Sequence, residues 1–153
     1  MTMPFEPIAI IGTGCVLPDA LNAEALWRVV LHGRSVVRRA QAGYWRAQAD
    51  RLLPDSNGQL DEGALCDVGG FVDTDAFEAG FTPYGFAIDP ALVQQLDPAV
   101  QWTLHAAREA LTEAGLRDSQ QRQGRRIGAI LGNLGYPSRT LAEFAEAEWG
   151  RPV

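Results

Sequence analysis

The sequence predicts an α/β domain, a mixed or parallel sheet layered with helices, on three observations. Pro7-Ile8-Ala9-Ile10-Ile11-Gly12-Thr13-Gly14-Cys15-Val16-Leu17-Pro18 is a continuous β-branched run that breaks into glycines, as a strand covered on both faces does. Ile127-Gly128-Ala129-Ile130-Leu131-Gly132 reads as a second buried strand, its small residues suited to close packing beside the first. Between them, Asp89-Pro90 and Asp97-Pro98 each place a capping carboxylate before a proline, the grammar of two consecutive helix starts.

In chain order, the first strand ends at Gly12-Thr13-Gly14, where the backbone turns without side-chain clash. Asn22 is expected to cap a helix over Ala23 to His32, with Leu26, Trp27, Val30 and Leu31 on its apolar face and Gly33 as the C′ residue. From Arg34 to about Gly80 the signals mix, with breaks at Pro54, Asn57-Gly58 and Gly69-Gly70 and short runs such as Tyr44-Trp45. This stretch reads as an excursion from a single domain. Gly69-Gly70 is expected to turn tightly before a short extended segment and an Asp-rich bend at Asp73 and Asp75, with Phe71, Phe77, Phe81 and Phe86 as anchors.

The longest helix should run from Pro98 to Ala114, since Val100, Leu104, Ala107, Leu111 and Ala114 share one face and Gly115 closes it. A polar loop, Arg117 to Arg126, leads into the second strand. Ser138 then caps a last helix with Leu141, Phe144 and Ala145 inward, stopped by Gly150-Arg151-Pro152-Val153. Two strands are too few to close a layered core, because a buried strand needs neighbours on both sides for its backbone. More sheet is therefore expected beyond Val153.

Composition narrows the function. The chain has 153 residues, 46% of them hydrophobic, enough for one soluble domain. A net charge of -6 argues against nucleic-acid or anionic-membrane partners, which need a basic surface. The basic-rich stretch is Arg34, Arg38, Arg39, Arg46 and Arg51, read as a solvated face with internal ion pairs. All 13 basic residues are arginine, so no lysine can form a Schiff base. Cys15 and Cys66 have no Cys or His partner at ligand spacing, which excludes a disulfide framework or zinc site and suits a reducing, cytoplasmic compartment. No signal peptide or membrane span is evident.

Individual candidates for chemistry read as structural. Gly12-Thr13-Gly14 lacks the third glycine of a dinucleotide turn, the position being Leu17. Cys15 precedes Val16-Leu17-Pro18 rather than a helix start that would lower its pKa. His32 falls at a helix C-terminus, His105 lies off its helix's apolar face, and Asp73 with Asp75 forms a turn sooner than a metal site. No catalytic, cofactor-binding or metal-binding residue is assigned.

Taken together and in order, the first strand with Leu17-Pro18, then Leu26-Trp27, His32-Gly33-Arg34, Gly69-Gly70-Phe71-Val72-Asp73, Asp75-Ala76-Phe77, Asp89-Pro90, Leu96-Asp97-Pro98 and Glu109-Ala110-Leu111-Thr112-Glu113-Ala114-Gly115 resemble the N-terminal part of a β-ketoacyl synthase domain. The likeness is to the modular polyketide and polyunsaturated-fatty-acid synthase type. It departs from the family at Ala99-Val100-Gln101-Trp102, where Gln-Gln-Arg is usual, and at Asn133-Leu134-Gly135-Tyr136-Pro137.

The resemblance implies an incomplete thiolase-like fold, residues 1–153 forming the N-terminal portion of its first α/β half. It implies decarboxylative Claisen condensation of carrier-bound thioesters by a cysteine and two histidines, none of them in this chain; Cys15 matches a family cysteine that is not the nucleophile. The implied partners are the Cys- and His-bearing remainder, in cis or in trans, an acyl carrier protein with its phosphopantetheine arm, and a second copy when the domain is complete. On this reading the chain alone is not an enzyme. The alternative is a non-catalytic truncated homologue that docks a synthase or carrier protein, although like charges would slow its encounter with an acidic carrier.

Overall fold

The computed structural model describes residues 7–41, 53–54, 64–132 and 139–149. The Tyr44-Trp45 run, Arg46, Arg51, Asn57-Gly58, Asn133–Pro137, the Ser138 cap and the Gly150–Val153 stop lie outside the described residues. The chain divides into two compact units, Leu17–Ala79 and Met1–Val16 together with Gly80–Val153.

In the Leu17–Ala79 unit, Leu17 and Ala20 bridge across Pro18-Asp19, with Asp19 at a φ of 58°, a left-handed conformation that Asp tolerates. Helix α1 (Ala23–Leu31) starts as expected, the Asn22 side chain accepting from the Ala25 N–H at 2.8 Å. It ends in a Schellman motif, with Gly33 at φ 58° donating to Val30 and Arg34 donating to Val29. Its buried residue is Val29, while Trp27, Val30 and Leu31 of the expected face are exposed. That face needs a sheet to cover it, and the strand expected beneath it forms no ladder among the described residues.

The sheet that does form is antiparallel and lies within the stretch read as an excursion. Strand β1 (Val37–Arg39) pairs with β2 (Val68–Gly70), Arg38 opposite Gly69 and Val37 opposite Gly70. Gly69-Gly70 is thus strand, not turn. A Cβ on Gly69 would come within 3.3 Å of the Phe71 ring, and one on Gly70 within 3.1 Å of Pro18, so both glycines are sites of close approach. The arginines of β1 are neutralised locally: Arg38 pairs with Asp19 at 3.0 Å and Arg39 with Asp67 at 2.7 Å. Helix α2 (Thr74–Gly80) follows, the Asp73 side chain accepting from the Ala76 N–H at 2.9 Å, and Phe77 anchors it at 2% exposure.

In the other unit, helices α3 (Pro90–Gln95) and α4 (Pro98–Glu113) begin at the expected Asp-Pro pairs. The Asp89 and Asp97 carboxylates accept from the Ala91 and Ala99 N–H groups at 2.8 and 2.9 Å. The Gln101 side-chain amide donates to the Val93 and Gln94 carbonyls, closing the end of α3, and Val93 is fully buried. Helix α4 ends in a second Schellman motif at Gly115. Its expected face is packed in part: Leu104, Leu111 and Ala114 are half-buried, whereas Val100 and Ala107 are exposed. The glycine turn meets the helix at Ala106 and Ala110, which the expected face omits, and at Ala114, which it includes, small residues against which backbone can approach.

A short helix α5 (Ser119–Arg122) interrupts the stretch expected to be polar loop. The Asp118 N–H donates to the Gln121 side chain at 3.0 Å, one half of a capping box. Helix α6 (Arg139–Trp149) begins where Thr140 donates through its N–H and hydroxyl to Asp97, at 3.2 and 3.1 Å. One carboxylate therefore serves the starts of α4 and α6. Leu141 and Phe144 are exposed rather than inward.

Neither Ile8–Ile11 nor Ile127–Gly132 belongs to a ladder among the described residues. Ile8 is 95% exposed and Ile130 100%, with Ile10, Ile11, Ile127 and Leu131 also exposed. A buried strand gets its hydrogen bonds from adjacent strands, and the described residues supply none to either segment.

Candidate functional site

The glycine turn is built by close contact with α4. A Cβ at Gly12 would lie 2.1 Å from the Ala110 carbonyl oxygen, and one at Gly14 would lie 2.1 Å from that of Ala106. Only hydrogen fits at either position. Between them, Thr13 donates to one Glu113 carboxylate oxygen through its N–H at 2.6 Å and its hydroxyl at 2.8 Å. These bonds hold the exposed Glu113 carboxyl below its ordinary pKa of 4.5, the backbone bond contributing most. The turn is a latch between backbone segments.

Cys15 follows this latch, half-buried, and burial raises its pKa. A nucleophilic cysteine needs the opposite shift, toward thiolate at neutral pH. Cys66 is exposed, its thiol directed to the Val68 carbonyl at 3.7 Å.

A second cluster forms around Arg108 of α4. Its guanidinium donates to the Thr82 carbonyl at 2.7 Å and lies 5.6 and 5.0 Å from the ring centres of Phe81 and Phe86. The two rings stack with centroids 6.4 Å apart, and His105 tilts against Phe81 at the same separation. Burial lowers the Arg108 pKa, Glu109 raises it and the Arg117 charge lowers it. The cluster holds the 81–86 segment against α4, a positioning role.

His32 donates through Nδ1 to the Arg28 carbonyl at 2.7 Å, closing the end of α1. Asp73 caps α2 and Asp75 sits in its first turn, where a carboxylate favours the helix dipole. Among the described residues no three His, Cys, Asp or Glu side chains gather as a metal site. What the arrangement does is fix one backbone run across a helix. Composition reading overlooked a second basic stretch, Arg117, Arg122, Arg125 and Arg126, which a charge count over ten-residue windows finds.

The sequence model of the family described as "Beta-ketoacyl synthase, N-terminal domain" matches residues 5–148. Among curated proteins, the chain is 38% identical over 115 residues to polyketide synthase GfsA of Streptomyces halstedii, covering 72% of this chain and 1% of that protein. It is 32% identical over 135 residues to the highly reducing polyketide synthase PKS6 of Gibberella zeae, covering 86% and 5%. It is 32% identical over 133 residues to the pikromycin polyketide synthase component PikAII of Streptomyces venezuelae, covering 85% and 3%. The chain thus spans at most 5% of the length of these three relatives. No solved structure matches it.

Proposed function

The chain belongs to the β-ketoacyl synthase family, in its N-terminal domain, and from that premise we propose that it is the N-terminal scaffold portion of a ketosynthase working in polyketide or related fatty-acid biosynthesis. Residues 1–153 form part of the first α/β half of a thiolase-like fold, with about 34–80 an excursion from its body. The completed domain elongates acyl chains by decarboxylative Claisen condensation. An acyl group passes from the phosphopantetheine thioester of a carrier protein to a cysteine, releasing the carrier thiol, and the enolate left when a malonyl thioester loses carbon dioxide attacks the acyl carbonyl and expels the cysteine thiolate. The cysteine and the histidines that assist belong to the remainder of the domain, in cis or in trans, and the completed domain dimerises in the cytoplasm.

What this chain's residues do is hold geometry. Gly12 and Gly14 let the first segment cross α4 at backbone contact, Thr13 and Glu113 lock the crossing, and Arg108 fixes the 81–86 segment. No helix among the described residues is long and apolar enough to cross a membrane.

One observation carries the reading: two apolar runs of strand composition, Ile8–Ile11 and Ile127–Leu131, stand exposed and unladdered in a single unit. Each isoleucine left in water forgoes about 1.5–3 kcal/mol of burial. Adjacent strands of a thiolase-like sheet would cover both runs.

Complementation tests this. The chain is mixed with the Cys- and His-bearing remainder of a polyketide-type ketosynthase and an acyl carrier thioester, and acylation is read by intact mass. The expected result is an acyl adduct on the remainder only when the chain is present. Acylation of Cys15 or Cys66, equal acylation of the remainder alone, or carrier binding without acylation would each count against it, the last favouring the docking-module alternative.

A further inference from the structure

The chain uses arginine in two ways. Arg38 and Arg39 are neutralised by Asp19 and Asp67. The stretch from Arg117 to Arg126 holds four arginines against one acid, Asp118, in a chain whose net charge is -6. None of these four makes an ion pair among the described residues. Arg122 donates through Nη1 to the Leu116 carbonyl at 2.8 Å and to that of Arg117, and Arg125 donates through Nε to the Gln121 carbonyl at 3.0 Å. A carbonyl is neutral, so these bonds order the side chains without cancelling charge, and each guanidinium keeps further donors for a ligand. Arg117, Arg125 and Arg126 are exposed. The Arg117 charge also reaches Arg108, lowering its pKa in the same direction as burial.

We propose that the Arg117–Arg126 segment is an electrostatic docking surface for an acidic protein segment. Guanidinium forks match carboxylates in bidentate pairs, and ordering them in advance reduces the entropy lost on binding. A short acidic segment senses only the local field, because charges beyond about 8–10 Å are screened at physiological salt. A nucleic acid is disfavoured: its extended charge meets the acidic remainder of the chain, and the segment Arg117-Asp118-Ser119-Gln120-Gln121-Arg122-Gln123-Gly124-Arg125-Arg126 has no aromatic ring for base stacking. The assignment is independent of the ketosynthase reading.

Fluorescence anisotropy of the 153-residue chain, kept in solution by fusion to a solubility domain that is also measured alone, with a labelled twelve-residue Glu/Ser peptide tests it. Binding should weaken with added salt and fall by about tenfold or more in the R117E/R125E/R126E variant, while R34E/R39E binds as the parent does. Arg122 is left intact because it braces the loop. The charge-reversed variant should instead gain binding to a Lys/Ser peptide, a readout that misfolding does not supply. Undiminished binding by the triple variant, no acquired binding of the basic peptide, no binding by the parent, or tighter binding of a single-stranded oligonucleotide of equal charge would each overturn the proposal.

Discussion

Gly12 and Gly14 lie where a methyl group has no room, since the obstructing atoms are helix backbone rather than side chains that could swing away. Gly12→Ala is therefore expected to destabilise the completed domain by about 1–3 kcal/mol, the usual range for overpacking, read as a lower denaturation midpoint. Gly80→Ala, where a Cβ meets nothing within 4 Å, should change it little. Cys15 gives a second prediction. Burial keeps its thiol protonated, so iodoacetamide at neutral pH should alkylate the exposed Cys66 first, with Cys15 labelling rising only as pH passes above the ordinary thiol range. Cys15→Ala should leave acyl transfer by the completed domain unchanged.

The elements divide by how local their causes are. Asn22, Asp89, Asp97, Gly33 and Gly115 act on backbone groups within a few residues, and each sits at the helix end that its residue type implies. Strand partners are not local. Gly69-Gly70 carries the same letters in a turn and in a strand packed against Phe71 and Pro18, and only the distant pairing with Val37 and Arg38 separates the two. The buried side of α1 was illegible for the same reason: an apolar face states that something covers it, not whether the cover is present. The latch was half legible. Its glycines announced a close approach, but nothing in Thr13 announced Glu113, 100 residues away.

Two predictions belong at this scale. Asp97→Ala should speed amide exchange at both Ala99 and Thr140, whereas Asp89→Ala, at a cost of about 1 kcal/mol typical of one cap, should affect Ala91 alone. The latch has a defined pH dependence. Glu113 has a folded pKa depressed below 4.5, so its contribution is present above pH 4.5 and is lost as pH falls through the lower folded value. Glu113→Gln should remove this acid-dependent loss, measured as exchange at the Thr13 amide while the pH is lowered below the ordinary glutamate pKa of 4.5. A Thr13 amide that loosens equally with acid in both proteins would contradict the latch.

At the scale of the whole molecule, helix ends, glycine crossing and arginine clamp are built, while two apolar runs stand exposed and unladdered among the described residues. Phe77 is buried in one unit and Val93 in the other, and the proposed remainder of the domain would cover the exposed isoleucines. Alone, the chain should therefore aggregate or co-purify with a partner, because unladdered apolar strands invite foreign pairing. The most direct measurement is hydrogen exchange of residues 8–12 and 127–132, with and without the Cys- and His-bearing remainder. The prediction is exchange near the unprotected rate in the isolated chain at dilutions that keep it monomeric, and strong protection of both segments on completion. Protection of both in a cooperative, monodisperse monomer, or no protection once the remainder is bound, would contradict it.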